Sequence, residues 1–153
     1  MPSIDDVYRK FGFVSEASQL LETQLGNLLI AAGVMDANLL KDPDPAKGRE
    51  LVTFVNKQTL GQLLRSLRKS IDGLDGLDDS LSRALYARNR LTHSFYRQHN
   101  FLRNTDEGRA VMLADLDSIH ITILKAYKSV MLLSGVDLDR LVDIDQPTKQ
   151  VPI

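Results

Sequence analysis

Met112, Leu116, Ile119, Ile123, Ala126, Val130 and Leu133 recur at alternating spacings of four and three. At 3.6 residues per turn, that spacing draws one unbroken apolar stripe along a long helix. Leu113, Leu124, Tyr127 and Met131 add a second stripe beside the first. A face this wide needs apolar partners on two sides, as at a bundle centre or where a bundle meets a second subunit. No segment shows the apolar–polar alternation of a half-buried strand. The chain is therefore restricted to all-α architectures, and it reads as an antiparallel helical bundle of four to five helices.

The other elements follow the same rules. Val7, Phe11, Val14, Leu21, Leu25, Leu28 and Ala32 predict a first helix, with Gly33 as its stop. Pro43 and Pro45 enforce a loop over 41–45, and a short helix is expected from Ala46 to Asn56. Thr59-Leu60-Gly61-Gln62 has capping-box spacing ahead of Leu60, Leu63, Leu64, Leu67 and Ile71. The aspartate- and glycine-rich run from Asp72 to Ser80 predicts a loop ending in N-cap chemistry, and its order of residues does not match a calcium-binding loop. A fourth helix is expected from Leu81 to Phe101 and a fifth from the acids Asp106 and Glu107 to Ser134, closed by Gly135. Residues 1–135 thus read as one bundle domain, and 136–153 as a peripheral or partly disordered tail.

Composition removes several chemistries. The 153 residues contain no cysteine, which excludes disulfides, thiolate metal sites and cysteine nucleophiles. The three histidines show no ligand spacing, so no metal and no cofactor is expected. The N-terminal residues lack the basic and apolar regions of a secretory signal, and the longest apolar run, Leu28 to Met35, is too short for a membrane span. A cytoplasmic protein without membrane contact is the expectation.

Charge is unevenly placed. Residues 81–103 carry Arg83, Arg88, Arg90, Arg97 and Arg103 with no lysine or acid, a segment charge of +5 in a chain of net −1, so the remainder carries −6. Within that segment Leu81, Ala84, Leu85, Leu91, Phe95 and Leu102 share one helix side, and Arg88 falls in the middle of it. A guanidinium among core positions needs an anion, a carboxylate from another helix, or a subunit boundary. Ser82, Asn89, His93 and Tyr96 form a polar strip alongside, with Asn89 and His93 one turn apart. Arg88 and His93 are five residues apart and diverge at Cβ, so only the reach of the arginine brings both to one ligand. His99 and His120 read as packed or hydrogen-bonded histidines.

The run Arg88-Asn89-Arg90-Leu91-Thr92-His93-Ser94-Phe95-Tyr96 resembles the signature of HEPN (higher eukaryotes and prokaryotes nucleotide-binding) domains, where an Arg followed by a polar residue precedes a His on one helix. The resemblance extends to Thr59-Leu60-Gly61-Gln62-Leu63-Leu64 and to Glu107-Gly108-Arg109, a series found in the same order in uncharacterised bacterial HEPN-like proteins, and it spans the chain from Phe11 to Ser134. It implies a HEPN-like helical bundle, a homodimer with the Arg–His pairs facing one cleft, and metal-independent RNA cleavage. Many toxin members carry Tyr two residues after the His; here Phe95 holds that place and Tyr96 follows.

Two functions follow from the resemblance taken with these residues. The first is an endoribonuclease of a toxin–antitoxin, phage-defence or stress system, with an antitoxin or regulatory protein as partner. His93 would be the general base on an RNA 2′-hydroxyl, Arg88 would stabilise the phosphorane-like charge, and Asn89 would orient phosphate or imidazole. Arg90, Tyr96 and Arg97 would bind substrate. The second is a non-catalytic dimeric module that binds a nucleotide, RNA or a partner protein through Arg88.

Overall fold

The computed structural model describes residues 1–71 and 74–140, and every regular element among them is helical, with no strand. Five helices of eleven residues or more make the bundle: α1 (Ile4–Asp36), α2 (Pro45–Asn56), α3 (Leu60–Ser70), α4 (Asp75–His93) and α6 (Asp106–Leu133). A single turn, α5 (Phe95–Gln98), and a 3-10 turn (Leu102–Asn104) lie between α4 and α6. The all-helical bundle expected from the apolar spacing is present.

The α6 stripe works as its spacing predicts. Met112, Leu116, Ile119, Ile123, Ala126 and Val130 are buried, while Leu133 at the end is half exposed. The stripe packs on α1 and α4, and Leu113, Leu124 and Tyr127 of the second stripe are half-buried against the same core. Helices that follow each other along the chain run antiparallel, as shown by the approach of Leu51 to Gly33, Arg68 to Asp78 and Arg90 to Asp115. Four reversals separate α1 from α6, so this pair, the most extensive contact in the bundle, runs parallel. Arg109 Nε donates to Pro2 O at 2.6 Å, Lys10 pairs with Asp117, and Gln24 Nε2 donates to Ser134 Oγ at 2.7 Å.

Several helix ends sit where local chemistry puts them. Thr59 and Gln62 close the expected capping box, with Thr59 N donating to Gln62 Oε1 at 2.8 Å and Gln62 N to Thr59 Oγ1 at 3.4 Å. After α6, Gly135 takes φ +81° while its N–H reaches Leu132 O and Val136 N–H reaches Met131 O, each at 3.0 Å. That is the Schellman arrangement, which favours glycine at this position.

Three boundaries depart from the sequence reading, each through packing. Gly33 does not stop α1, which continues to Asp36. Its missing side chain serves a close approach instead, because a Cβ there would come within 2.7 Å of Leu51 Cδ2. The left-handed residue after α1 is Asn38, at φ 56°. The fourth helix begins at Asp75 rather than Leu81, since Leu74 and Leu77 are buried and continue its core face toward the N-terminus. That helix also ends at His93 instead of running to Phe101. Ser94 leaves the helical region (φ −140°, ψ −7°), its Oγ donates to Arg90 O at 3.2 Å, and Phe95 turns fully into the core. The expected tail begins with a 3-10 turn (Leu138–Arg140), where Asp139 accepts from Lys128 at 2.7 Å; residues 141–153 lie outside those described.

The elbow between α5 and α6 is drawn tight. Gly108 N–H donates to the cap residue Thr105 at 3.0 Å, and its Cα lies against the Leu102 backbone. Arg109 bonds the Pro2 and Arg103 carbonyls, at 2.6 and 2.9 Å. The Glu107-Gly108-Arg109 series therefore anchors the chain just beyond the Arg–His helix.

Candidate functional site on the fourth helix

Arg88 sits in the apolar stripe of α4, between the buried residues Ala84 and Leu91. Its guanidinium escapes the stripe sideways. Nε stands 2.8 Å from Glu22 Oε1 on α1, and Nη1 donates to Asn89 Oδ1 at 3.2 Å. The first contact is an ion pair and not an aligned hydrogen bond: Glu22 Oε1 is closed off from solvent and accepts none. The side chains of Arg88 and Glu22 remain about a quarter exposed (21% and 27%). The pair thus holds one edge of the guanidinium toward α1 and the Nη1 corner toward the exposed Asn89.

His93 is the last residue of α4 and is exposed. It lies one turn beyond Asn89 on the same helix face. Among the described residues no carboxylate or other group hydrogen-bonds its ring. The departure of the chain at Ser94 leaves the imidazole at the C-terminal end of α4.

The remaining substrate-binding candidates are separated. Arg97 is exposed on the single turn of α5. Tyr96 packs its ring on Phe11 (centroids 5.1 Å), Phe95 (5.2 Å) and Tyr8 (6.2 Å). Burial, and then the neighbouring Tyr8, push its phenol above the ordinary tyrosine value, against the opposing pull of Arg103. Arg90 is engaged internally: it pairs with Asp115 of α6, and its Nε donates to Gln98 Oε1 at 3.0 Å. The same Asp115 oxygen lies 2.6 Å from His99 Nε2. His99 is also packed edge-on against Phe95, at 4.8 Å, so it is the packed and bonded histidine that the sequence predicts. His120 is half-buried on α6. Burial first, and Lys10 second, hold its imidazole below the ordinary histidine range.

Comparison of the chain with protein-family models, curated proteins and solved structures finds no match.

The chain therefore brings together Glu22, Arg88 and Asn89, with His93 next along the strip, and sets Arg90 and Tyr96 into other contacts. The sequence allows a carboxylate on another helix as one possible partner of Arg88 without singling out Glu22. The available signal was an acid between Leu21 and Leu25, at the margin of the α1 core stripe. Asp115 was equally hidden, as an acid one position before the buried Leu116.

Proposed function

We propose that this chain is a metal-independent endoribonuclease of HEPN type, acting as a homodimer on RNA in a toxin–antitoxin, phage-defence or stress system. One observation carries the reading: Arg88, rooted in the core stripe, delivers its guanidinium to Asn89 on the strip that ends in the exposed His93. The resemblance of residues 88–96 to the HEPN signature supports it. In this scheme His93 removes the proton from an RNA 2′-hydroxyl, and that oxygen attacks the adjacent phosphorus. The leaving 5′-oxygen takes up a proton, and a 2′,3′-cyclic phosphate remains. Arg88 binds the non-bridging oxygens as charge builds on them, with Asn89 holding its Nη1 edge. Within one chain Arg88 and His93 diverge, so a two-fold axis along α4 is the arrangement that puts both sets on one substrate.

The second reading, a non-catalytic module, is favoured by a specific feature. Arg88 already has a carboxylate partner in Glu22, and no acid among the described residues orients His93.

The two separate in a direct comparison of labelled RNA with DNA of the same sequence. The ribonuclease cleaves RNA alone, because DNA lacks the attacking hydroxyl. Cleavage falls by about tenfold between about 50 and 200 mM salt, as two or three arginine–phosphate contacts require on a single strand. Binding of RNA without cleavage establishes the module.

A further inference from the structure

Beside the strip that carries His93, a groove of about 430 Å³ runs between α4 and α6. Its α4 wall holds Tyr86, Arg83 and Arg90; its α6 wall holds Ser118, Ile119 and Thr122. Tyr86 is 71% exposed, whereas Ile119 on the groove floor is buried. Tyr86, Arg90 and His93 stand at i, i+4 and i+7, so the groove opens on the same side of α4 as the imidazole, about 10 Å along the axis.

We infer that this groove seats one unstacked base of single-stranded RNA, flanking the scissile phosphate, with Tyr86 as the stacking platform. The inference rests on the ribonuclease reading for its place in the reaction but not for its chemistry. An exposed aromatic ring beside arginines is the equipment that binds splayed-out bases, since every base offers a π face and its phosphate a charge. Arg83 supplies the cation: its contact to Asp79 (3.1 Å) joins two side chains that are each nearly three-quarters exposed, a surface pair of small value that a phosphate can displace. Ser118 and Thr122 supply the polar edge. Thr122 Oγ1 donates to Ser118 O at 2.9 Å, which leaves its lone pairs as acceptors for a base amino group. The groove is lined by Arg83, by Arg90 (held by Asp115) and by no acid, so with Arg83 released from its surface pair an anionic strand complements it better than a protein surface of mixed charge does.

The test is the anisotropy of a labelled eight-nucleotide single-stranded RNA bound to protein carrying His93→Ala, which keeps the RNA intact. Adding Tyr86→Ala weakens binding by about tenfold, within the range of about 5- to 150-fold that corresponds to loss of one stacked base, and Tyr86→Phe binds within about twofold of the parent. Equal binding by Tyr86→Ala overturns the seat, as does a parent protein that binds no RNA at low salt. Conversion of a dimer to monomers by Tyr86→Ala also overturns it, because the groove is then a subunit interface. Cleavage by chains with His93 intact is measured in parallel. RNA bound through Tyr86 but never cut leaves the seat standing and removes the ribonuclease reading. Cleavage with KM unchanged in Tyr86→Ala does the reverse.

Discussion

His93→Ala is expected to lower RNA cleavage by about 10²–10⁴-fold, the contribution of one positioned general base. The exposed ring has no hydrogen-bond partner among the described residues, so the helical content and melting temperature should stay at the parent values. Arg88→Ala is expected to lower cleavage by a comparable factor of about 10²–10³ through lost stabilisation of the transition state. Unlike His93→Ala it carries a stability cost, since the Glu22 carboxylate loses its partner in a half-buried setting. Full burial of such a broken pair costs about 3–5 kcal/mol, and partial exposure reduces this to about 1–2 kcal/mol. The double variant Arg88→Ala with Glu22→Gln separates the two effects. Removing the orphaned charge restores most of the stability and none of the activity. If the double variant instead regains cleavage, Arg88 acts through the fold and not on phosphate. Rates measured beside circular-dichroism melts of the same preparations decide between these outcomes.

The largest effect on stability is expected at Gly108. A Cβ there would stand 2.6 Å from the Leu102 carbonyl carbon and 2.7 Å from its Cα, so the obstacle is backbone and not a movable side chain. Gly108→Ala must therefore push the 3-10 turn away from α6 and strain the Thr105 cap. The cost is about 3 kcal/mol, at the upper end for overpacking, which lowers the melting temperature by about 6–12 °C in a chain of this size. Gly12 is the matched control. It lies on the exposed face of α1, with nothing within 4 Å of a new Cβ, and Gly12→Ala should stabilise by about 0.5–1 kcal/mol through helix propensity. The same substitution thus has opposite signs at two helical glycines. Equal melting temperatures for Gly108→Ala and the parent would show that α6 does not approach Leu102 in this way.

These two glycines mark the boundary of what the amino-acid order makes legible. Patterns that repeat within one element are readable: the α6 stripe, the Thr59–Gln62 box and the Gly135 stop all depend on neighbours within a few residues. Gly33 misleads because glycine has two uses, a left-handed turn and a close approach, and only the position of Leu51 selects between them. The break at Ser94 is hidden for a similar reason. Phe95 fits the helical stripe by spacing, yet its ring is fixed by Phe11 of α1 (5.8 Å) and His99 (4.8 Å), which no local pattern encodes. At the site, the anomaly of Arg88 was legible as a charge in a core stripe. Its partner Glu22 was not, because the two lie sixty-six positions apart and many acids could have served. Arg90 looks in sequence like the other arginines of its segment and is drawn inward by Asp115 and Gln98.

The chemical end left on the RNA tests the account most directly. RNA labelled at its 5′ end is incubated with purified protein in EDTA, and the fragments are treated with phosphatase before and after mild acid. Attack by an internal 2′-hydroxyl leaves a 2′,3′-cyclic phosphate, which resists phosphatase until acid opens the ring. The account predicts such ends from the parent protein, with EDTA present, and none from His93→Ala. Intact RNA across varied substrates, fragments ending in a 3′-hydroxyl, or the same cyclic ends from His93→Ala would each contradict it.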